Sequence, residues 1–249
     1  MTALDRHKHA EIASRTAEFM AAESTKPFGW ESYHWVRWAT ISEVLRRLGI
    51  APGAHALDLG CGPGWTSLFL AESGYHVTAV DLVPANIELT AARAARWDVP
   101  IATRVADMEQ LEVDQRFDFA LIHDALHHVT DHRRALERVR VHLNPGGWLL
   151  LGETSWLHRL SPAAHRGSRT TGWLERGFTV RGLRADLRGA GFVEVRRFFQ
   201  GTNPYESRAS GFAWQLVRLI AANFVVAPKA AIWLAARAPD GNPVGGAER

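Results

Sequence analysis

Short apolar runs alternate with longer amphipathic segments along the chain from residue 55 onward. The short runs predict five strands, at residues 55–59, 76–81, 99–105, 117–123 and 148–153, and the segments between them predict helices at 65–73, 84–97 and 131–143. Nearly continuous apolar strands joined by helices are typical of a parallel sheet that is covered on both faces. The pattern therefore predicts an α/β fold with a doubly wound, mostly parallel sheet.

The pattern differs at both ends of the chain. Two helices are predicted at 5–22 and 31–48, with the breaker K-P-F-G between them, and after residue 153 a helix at 180–190 precedes two apolar strands at 192–199 and 231–236. We therefore expect an N-terminal helical lid at 1–50 and a main domain at 51–238 with insertions at 154–180 and 200–229. The tail at 239–249 is expected to be disordered.

Composition and charge narrow the function classes. The 249 residues are 47% hydrophobic, which suits one sizeable domain, and the single cysteine excludes an internal disulfide and a cysteine zinc cluster. Residues 158–249 hold 14 basic and 6 acidic side chains, but the arginines are scattered singly, which is typical of a solvated face. We expect no nucleic-acid partner. The oligomeric state is left open.

Two segments of the chain bear on its location in the cell. The N-terminus lacks the apolar core of a signal peptide, so a cytoplasmic location is expected. The apolar run from residue 212 is interrupted by Arg218, Asn223 and Pro228, so it is not expected to span a membrane, although contact with a membrane interface is an alternative.

A glycine-rich loop joins the first strand of the main domain to the helix that follows it. Gly60, Gly62 and Gly64 permit positive φ angles and allow a ligand to lie against backbone amides. Asp81, at the end of the second strand, is placed to accept hydrogen bonds from two ribose hydroxyls. The loop therefore predicts a nucleoside site, with a merely tight turn as the alternative.

The loop sequence bears on the kind of nucleoside. A pyrophosphate prefers G-x-G-x-x-G, whereas this loop reads G-C-G-P-G with Asp58 just before it. A carboxylate at that position repels phosphates and suits an amino group. Because the glycines alone are also compatible with a dinucleotide site, an NAD-dependent oxidoreductase is the alternative.

The stretch L-D-L-G-C-G-P-G-W resembles the first motif of class I S-adenosylmethionine-dependent methyltransferases, in particular the small-molecule branch of type 11 or 12. Further motifs of that family follow in order: A-V-D-L-V-P-A-N-I, V-A-D-M-E-Q-L, F-D-F-A-L-I-H-D-A-L-H-H-V and L-N-P-G-G-W-L-L-L-G-E. The resemblance covers residues 55–153. It implies a Rossmann-like sheet of seven strands with an antiparallel C-terminal hairpin.

The same resemblance implies S-adenosyl-L-methionine as cofactor and assigns its contacts. Asp81 would hold the ribose, Asp107 would meet the adenine amino group, and Met108 would flank the ring. As alternatives, Asp107 caps the next turn and Met108 belongs to the core. The full set of predicted cofactor-binding residues is Asp58, Gly60, Cys61, Gly62, Gly64, Asp81, Leu82, Asp107, Met108 and His123.

Methylation of a hydroxyl requires alignment of acceptor and donor and removal of a proton. Asp124 and His128 are four residues apart, so on a helical turn the carboxylate would orient the imidazole, and His127 is a further candidate base. D-A-L-H-H also resembles an element of phosphoethanolamine methyltransferases, in which the histidine works with an N-terminal tyrosine; Tyr33 is the tyrosine available here. A structural role for His128 is the alternative.

The acceptor is the part that the motifs leave open. Trp30 and Tyr33, in an aromatic segment at 27–38, and Glu153 and His158, near the end of the fifth strand, are predicted to line its pocket. Glu and His could also hold a divalent ion, but their spacing is not diagnostic and no metal is predicted. We expect an enzyme that methylates oxygen on a sugar, glycoside or natural-product intermediate. N-methylation of a small amine and a non-catalytic binding protein are the alternatives.

Overall fold

The structure is a computed structural model that describes residues 3–14, 34–161, 176–200 and 231–241, with isolated positions at 16, 20, 21, 24, 26, 165, 169, 174, 216, 217 and 220. The described helices are α1 (Ala3–Ala13), α2 (His34–Leu48), α3 (Trp65–Glu72), α4 (Pro84–Trp97), α5 (His132–Val141) and α6 (Val180–Gly189). The strands are β1 (His55–Leu59), β2 (His76–Asp81), β3 (Ile101–Val105), β4 (Phe117–His123), β5 (Leu143–Thr154), β6 (Glu194–Phe198) and β7 (Ala231–Arg237). Short 3₁₀ helices lie at Met108–Gln110, Leu126–His128 and Trp156–Leu160.

The seven strands form one sheet in the order β3-β2-β1-β4-β5-β7-β6. Strand β7 is antiparallel to both of its neighbours, with Leu151 opposite Leu234 and Val195 opposite Ala236. The neighbouring pairs among β1 to β5 are parallel. The predicted doubly wound sheet with an antiparallel C-terminal hairpin is therefore confirmed.

The core lies on both faces of the central strands β1 and β4. Leu57 and Leu59 pack toward one face with helices α5 and α6, while Ala56 and Leu121 pack toward the other with helix α2. These side chains are fully buried. Burial on both faces explains why the central strands read as uninterrupted apolar runs. It also makes a rigid platform whose carboxyl ends meet along one edge.

Two element boundaries depart from the prediction by five residues or more. Strand β5 begins at Leu143 rather than at residue 148, because the turn at Gly146, with φ of 72°, is accommodated within the strand. Helix α1 ends at Ala13 rather than at residue 22. Trp30, Tyr33, most of the 200–229 insertion and residues 242–249 lie outside the described residues. Within the described part of the chain, every helix is too short or too polar to cross a bilayer.

Candidate functional site

A cavity of about 370 Å³ opens at the carboxyl ends of β1, β2 and β4. Its walls come from the glycine loop, the ends of the three strands, and residues of helices α1 and α2. The predicted site residues that line it are Gly60, Cys61, Gly62, Asp81, Leu82, Asp107, Met108, His123, Asp124, His127 and His128. The fold thus brings the predicted cofactor residues and the candidate bases to one place.

The three loop glycines have different roles. All have positive φ, but a Cβ on Gly60 would lie 2.5 Å from the Cβ of Ala125, and one on Gly64 would lie 2.6 Å from side-chain atoms of Thr90. A Cβ on Gly62, with φ of 53°, would meet no protein atom within 4 Å. Gly60 and Gly64 are therefore required by packing, whereas Gly62 leaves open space where a ligand can approach the backbone.

Asp81 ties the loop to the end of β2. Its carboxylate accepts hydrogen bonds from the backbone N–H groups of Gly62 at 2.8 Å and Val83 at 2.9 Å, and from the side-chain amide of Asn86 at 3.0 Å. Because one of these donors belongs to the loop, Asp81 orients the loop as well as facing the cavity.

Asp58 lies behind the loop. Its buried carboxylate accepts hydrogen bonds from the hydroxyls of Thr66 at 2.6 Å and Ser67 at 2.5 Å, both in the first turn of α3. Burial raises the pKa of Asp58 to about 6, against the opposing effect of the two hydroxyls. The predicted direct contact between Asp58 and a ligand amino group is therefore corrected, because the carboxylate holds the loop against α3.

Two carboxylates mark the end of the cavity beyond β3. Asp107 caps a 3₁₀ helix by accepting the backbone N–H of Glu109 at 2.9 Å, so the alternative reading of Asp107 as a cap is correct for that oxygen. Its other oxygen pairs with the Lys8 ammonium of helix α1. Lys8 also contacts Glu109 at 3.1 Å. Lys8 was not predicted as a site residue, because it lies in a largely polar helix without distinctive spacing.

The predicted Asp124–His128 pair on one helical turn is wrong. Asp124 has a left-handed backbone with φ of 56°, and the helical turn begins only at Leu126. The Asp124 carboxylate instead accepts a hydrogen bond at 3.0 Å from Arg37 of helix α2. His128 Nδ1 lies 2.9 Å from the carbonyl oxygen of Leu174. Burial alone would raise the pKa of Asp124. The Arg37 charge, the neighbouring His127 and His123 and the hydrogen bond from Arg37 together outweigh burial and hold the pKa below its usual range.

A different carboxylate orients a histidine. His127 Nδ1 lies 2.9 Å from Glu153 Oε2, and both side chains are buried. Glu153 Oε1 also accepts the backbone N–H groups of Ala125 at 3.0 Å and Leu126 at 2.6 Å. Glu153 thus fixes both the turn and the imidazole. The prediction that Glu153 lines the acceptor pocket is corrected, because the Glu153 side chain is buried behind His127 and does not line the cavity. The His158 ring packs near His127, with centroids 5.7 Å apart.

Two further histidines flank Trp65 at the cavity wall. The ring centroids of His34 and His123 lie 4.6 and 5.4 Å from that of Trp65. Burial, together with the Lys26 and Arg37 charges, lowers the pKa of His34 to about 4. Burial and the Arg37 charge lower the pKa of His123 to about 3. Both rings are therefore neutral at pH 7. The spacing of His34 and Arg37 on one helical face was visible in the sequence, but nothing local indicated what that face meets.

Residues 56–147 match a family model described as a methyltransferase domain. Among curated relatives, a ubiquinone biosynthesis O-methyltransferase of Xanthomonas campestris pv. campestris is 36% identical over 115 residues, which is 45% of this chain and 46% of the relative. The protein of that name from Paramagnetospirillum magneticum is 34% identical over 129 residues, 50% of this chain and 51% of the relative. The chain thus spans about half the length of these relatives.

Solved structures share the fold at lower identity. Phosphoethanolamine N-methyltransferase 2 of Haemonchus contortus, in complex with S-adenosyl-L-methionine, has a TM-score of 0.66 at 17% identity and covers 94% of this chain and 60% of its own. The 1,6-didemethyltoxoflavin-N1-methyltransferase of Burkholderia thailandensis, with bound S-adenosylhomocysteine, has a TM-score of 0.61 at 22% identity, with coverages of 96% and 92%. These likenesses show a shared fold.

Proposed function

We propose that this chain transfers a methyl group from S-adenosyl-L-methionine to an oxygen atom of a small molecule. The premise is that it contains a class I S-adenosylmethionine-dependent methyltransferase domain. One observation supports this proposal most directly. The Gly62 loop, Asp81 and Asp107 line the same cavity as His127, whose ring is hydrogen-bonded to the buried Glu153 carboxylate. S-adenosyl-L-methionine supplies an electrophilic methyl group on its sulfonium.

The cavity fits this donor from end to end. Gly62 leaves the space that a side chain would fill, Asp81 suits the ribose hydroxyls, and Asp107 with Met108 suits the adenine ring. At the other end, the Arg37 guanidinium and the Asp124 carboxylate form a pair of opposite charges. Such a pair is complementary to the carboxylate and ammonium groups of the donor's amino-acid part.

His127 is the proposed general base. In the hydrogen bond between His127 Nδ1 and the Glu153 carboxylate we assign the proton to Nδ1, so that Nε2 carries the ring's lone pair. As the acceptor oxygen forms its bond to the methyl carbon and the carbon–sulfur bond breaks, the hydroxyl proton passes to Nε2. Glu153 stabilises the resulting imidazolium. It acts as a positioning residue because it contacts His127 and not the reacting atoms.

The choice of oxygen follows the names of the curated relatives and the presence of a positioned base. A neutral amine needs less help with its proton than a hydroxyl does. The sugar, glycoside or natural-product acceptor of the sequence analysis remains part of the proposal, together with the lining role of Trp30, Tyr33 and His158.

The test measures S-adenosylhomocysteine formation with a panel of catechols, other phenols, glycosides and primary amines. With an oxygen acceptor, we expect His127→Gln to lower kcat by about 10²- to 10⁴-fold and Glu153→Gln by less, with donor binding retained. His128→Gln is expected to keep most of the activity. His142→Gln serves as the matched control, since His142 contacts the carbonyl oxygen of Leu111 in part of the fold that does not line the cavity.

Turnover on amines alone would refute the oxygen assignment. Full activity of His127→Gln would remove the proposed base. Binding of NAD without binding of S-adenosylmethionine would instead favour the oxidoreductase alternative.

A further inference from the structure

Helix α1 reaches the cavity mainly through charged side chains. Lys8 and Glu11 line the cavity, and the Lys8 ammonium contacts both Asp107 and Glu109. The α1 sequence A-L-D-R-H-K-H-A-E-I-A is largely polar, and the Ile12 side chain is 39% exposed. Between residues 7 and 13, where the α1 side chains are described, each is at least partly exposed, so Lys8 reaches its two carboxylates from a solvent-facing helix.

The two carboxylates are fixed independently of Lys8. Asp107 Oδ1 accepts the Glu109 backbone N–H, and Glu109 Oε1 accepts those of Thr130 at 2.9 Å and Asp131 at 3.2 Å. The oxygens that meet Lys8 are therefore the second oxygen of each carboxylate, Asp107 Oδ2 and Glu109 Oε2. The ammonium bridges two acceptors that the backbone holds in place.

We infer that Lys8 gates the donor site: its ammonium occupies Asp107 Oδ2, the oxygen that the adenine amino group of the donor requires, and donor binding leaves Lys8 on Glu109 alone. The inference rests on the proposed function, since it takes an adenosine-containing donor as the ligand. Asp107 Oδ1 is committed to the 3₁₀ cap, so the adenine amino group and Lys8 compete for the same oxygen.

The Lys8 ammonium is expected to change the dissociation constant of the donor only modestly. The Lys8 and Asp107 side chains are 21% and 18% exposed, so water screens the pair in part. Partly exposed ion pairs contribute modestly, and Lys8 keeps one of its two carboxylates after the exchange. Removing the ammonium is therefore expected to tighten donor binding by about 3- to 10-fold, a change in Kd that titration resolves easily.

The experiment titrates the wild-type protein and three variants with S-adenosylhomocysteine at low and high potassium chloride, by calorimetry. Lys8→Met removes the charge and keeps the length, Lys8→Arg keeps the charge, and Arg46→Met removes an exposed charge that pairs with Glu43 on α2. We expect tighter binding by Lys8→Met only. Salt should tighten binding by the wild type and Lys8→Arg, because it weakens the competing ion pair, and should leave Lys8→Met unchanged.

A second ligand separates gating from general loosening of the site. 5′-Methylthioadenosine has the adenine and ribose but lacks the amino-acid part, so Lys8→Met should tighten its binding by the same factor. Equal or weaker binding of S-adenosylhomocysteine by Lys8→Met, with wild-type binding intact, would overturn the gate and leave the proposed function standing. Binding of neither ligand by any variant would overturn the donor assignment and the gate with it. Binding of S-adenosylhomocysteine by Lys8→Met alone would support both the donor assignment and the gate.

Discussion

Alanine at Gly62 is expected to weaken donor binding with a small loss of stability, whereas alanine at Gly64 is expected to destabilise the fold more strongly. The two glycines share a left-handed backbone, with φ of 53° and 76°. An alanine in that conformation costs about 1 to 2 kcal/mol at either position. The difference lies in what the new methyl group meets.

At Gly64 the methyl group would lie 2.6 Å from two side-chain atoms of Thr90 and 2.9 Å from a third. Thr90 is fully buried, so it cannot move aside without disturbing α4. Overpacking of this kind adds about 1 to 3 kcal/mol. At Gly62 the methyl group meets no protein atom and stands in the cavity wall. We expect a loss of about 1 to 2 kcal/mol in stability there and a loss of at least about tenfold in donor affinity.

Urea denaturation gives the free energy of unfolding of each variant, and calorimetric titration with S-adenosylhomocysteine gives the dissociation constant. Gly62→Ala should be folded and weak in binding, and Gly64→Ala should be less stable by about 2 to 5 kcal/mol, the sum of the backbone and packing costs. Wild-type affinity in Gly62→Ala would refute the assignment of the open space to the donor. Equal stability of the two variants would refute the packing role of Gly64.

Three further predictions concern charge and backbone conformation. Because burial raises the pKa of Asp58 from 3.8 to about 6, the wild type should lose about 2 kcal/mol of stability as pH rises from 4 to 7, and Asp58→Asn should lack this loss in urea titrations across that range. Because the pKa of His123 falls from 6.5 to about 3, stability should fall by about 1.4 kcal/mol for each pH unit below 6.5, and His123→Gln should flatten that slope. Asp124→Ala and Asp124→Gly both lose the Arg37 ion pair, but only alanine is strained at φ of 56°, so Asp124→Gly should melt at a higher temperature.

The sequence predicted the features that depend on local pattern, namely the central strands and the loop that follows the first of them. The apolar runs specified β1, β2 and β4 to the residue, because strands buried on both faces need consecutive apolar side chains. The glycine loop and Asp81 were predicted because a strand–turn–helix unit brings them together in any doubly wound sheet. The start of β5 was missed, since the Gly146 turn within a strand is a departure from that pattern.

The amino-acid sequence by itself determined the fold class and indicated which residues line the proposed donor end of the cavity. Only the tertiary structure decided which carboxylate meets which cation or imidazole. His127 and Glu153 are 26 residues apart, Arg37 and Asp124 are 87 apart, and Lys8 and Asp107 are 99 apart. The physical reason is that local spacing fixes neighbours only within one element. These pairs form because the strand order places β4 beside β5 and because helices α1 and α2 fold back over the carboxyl ends of the strands.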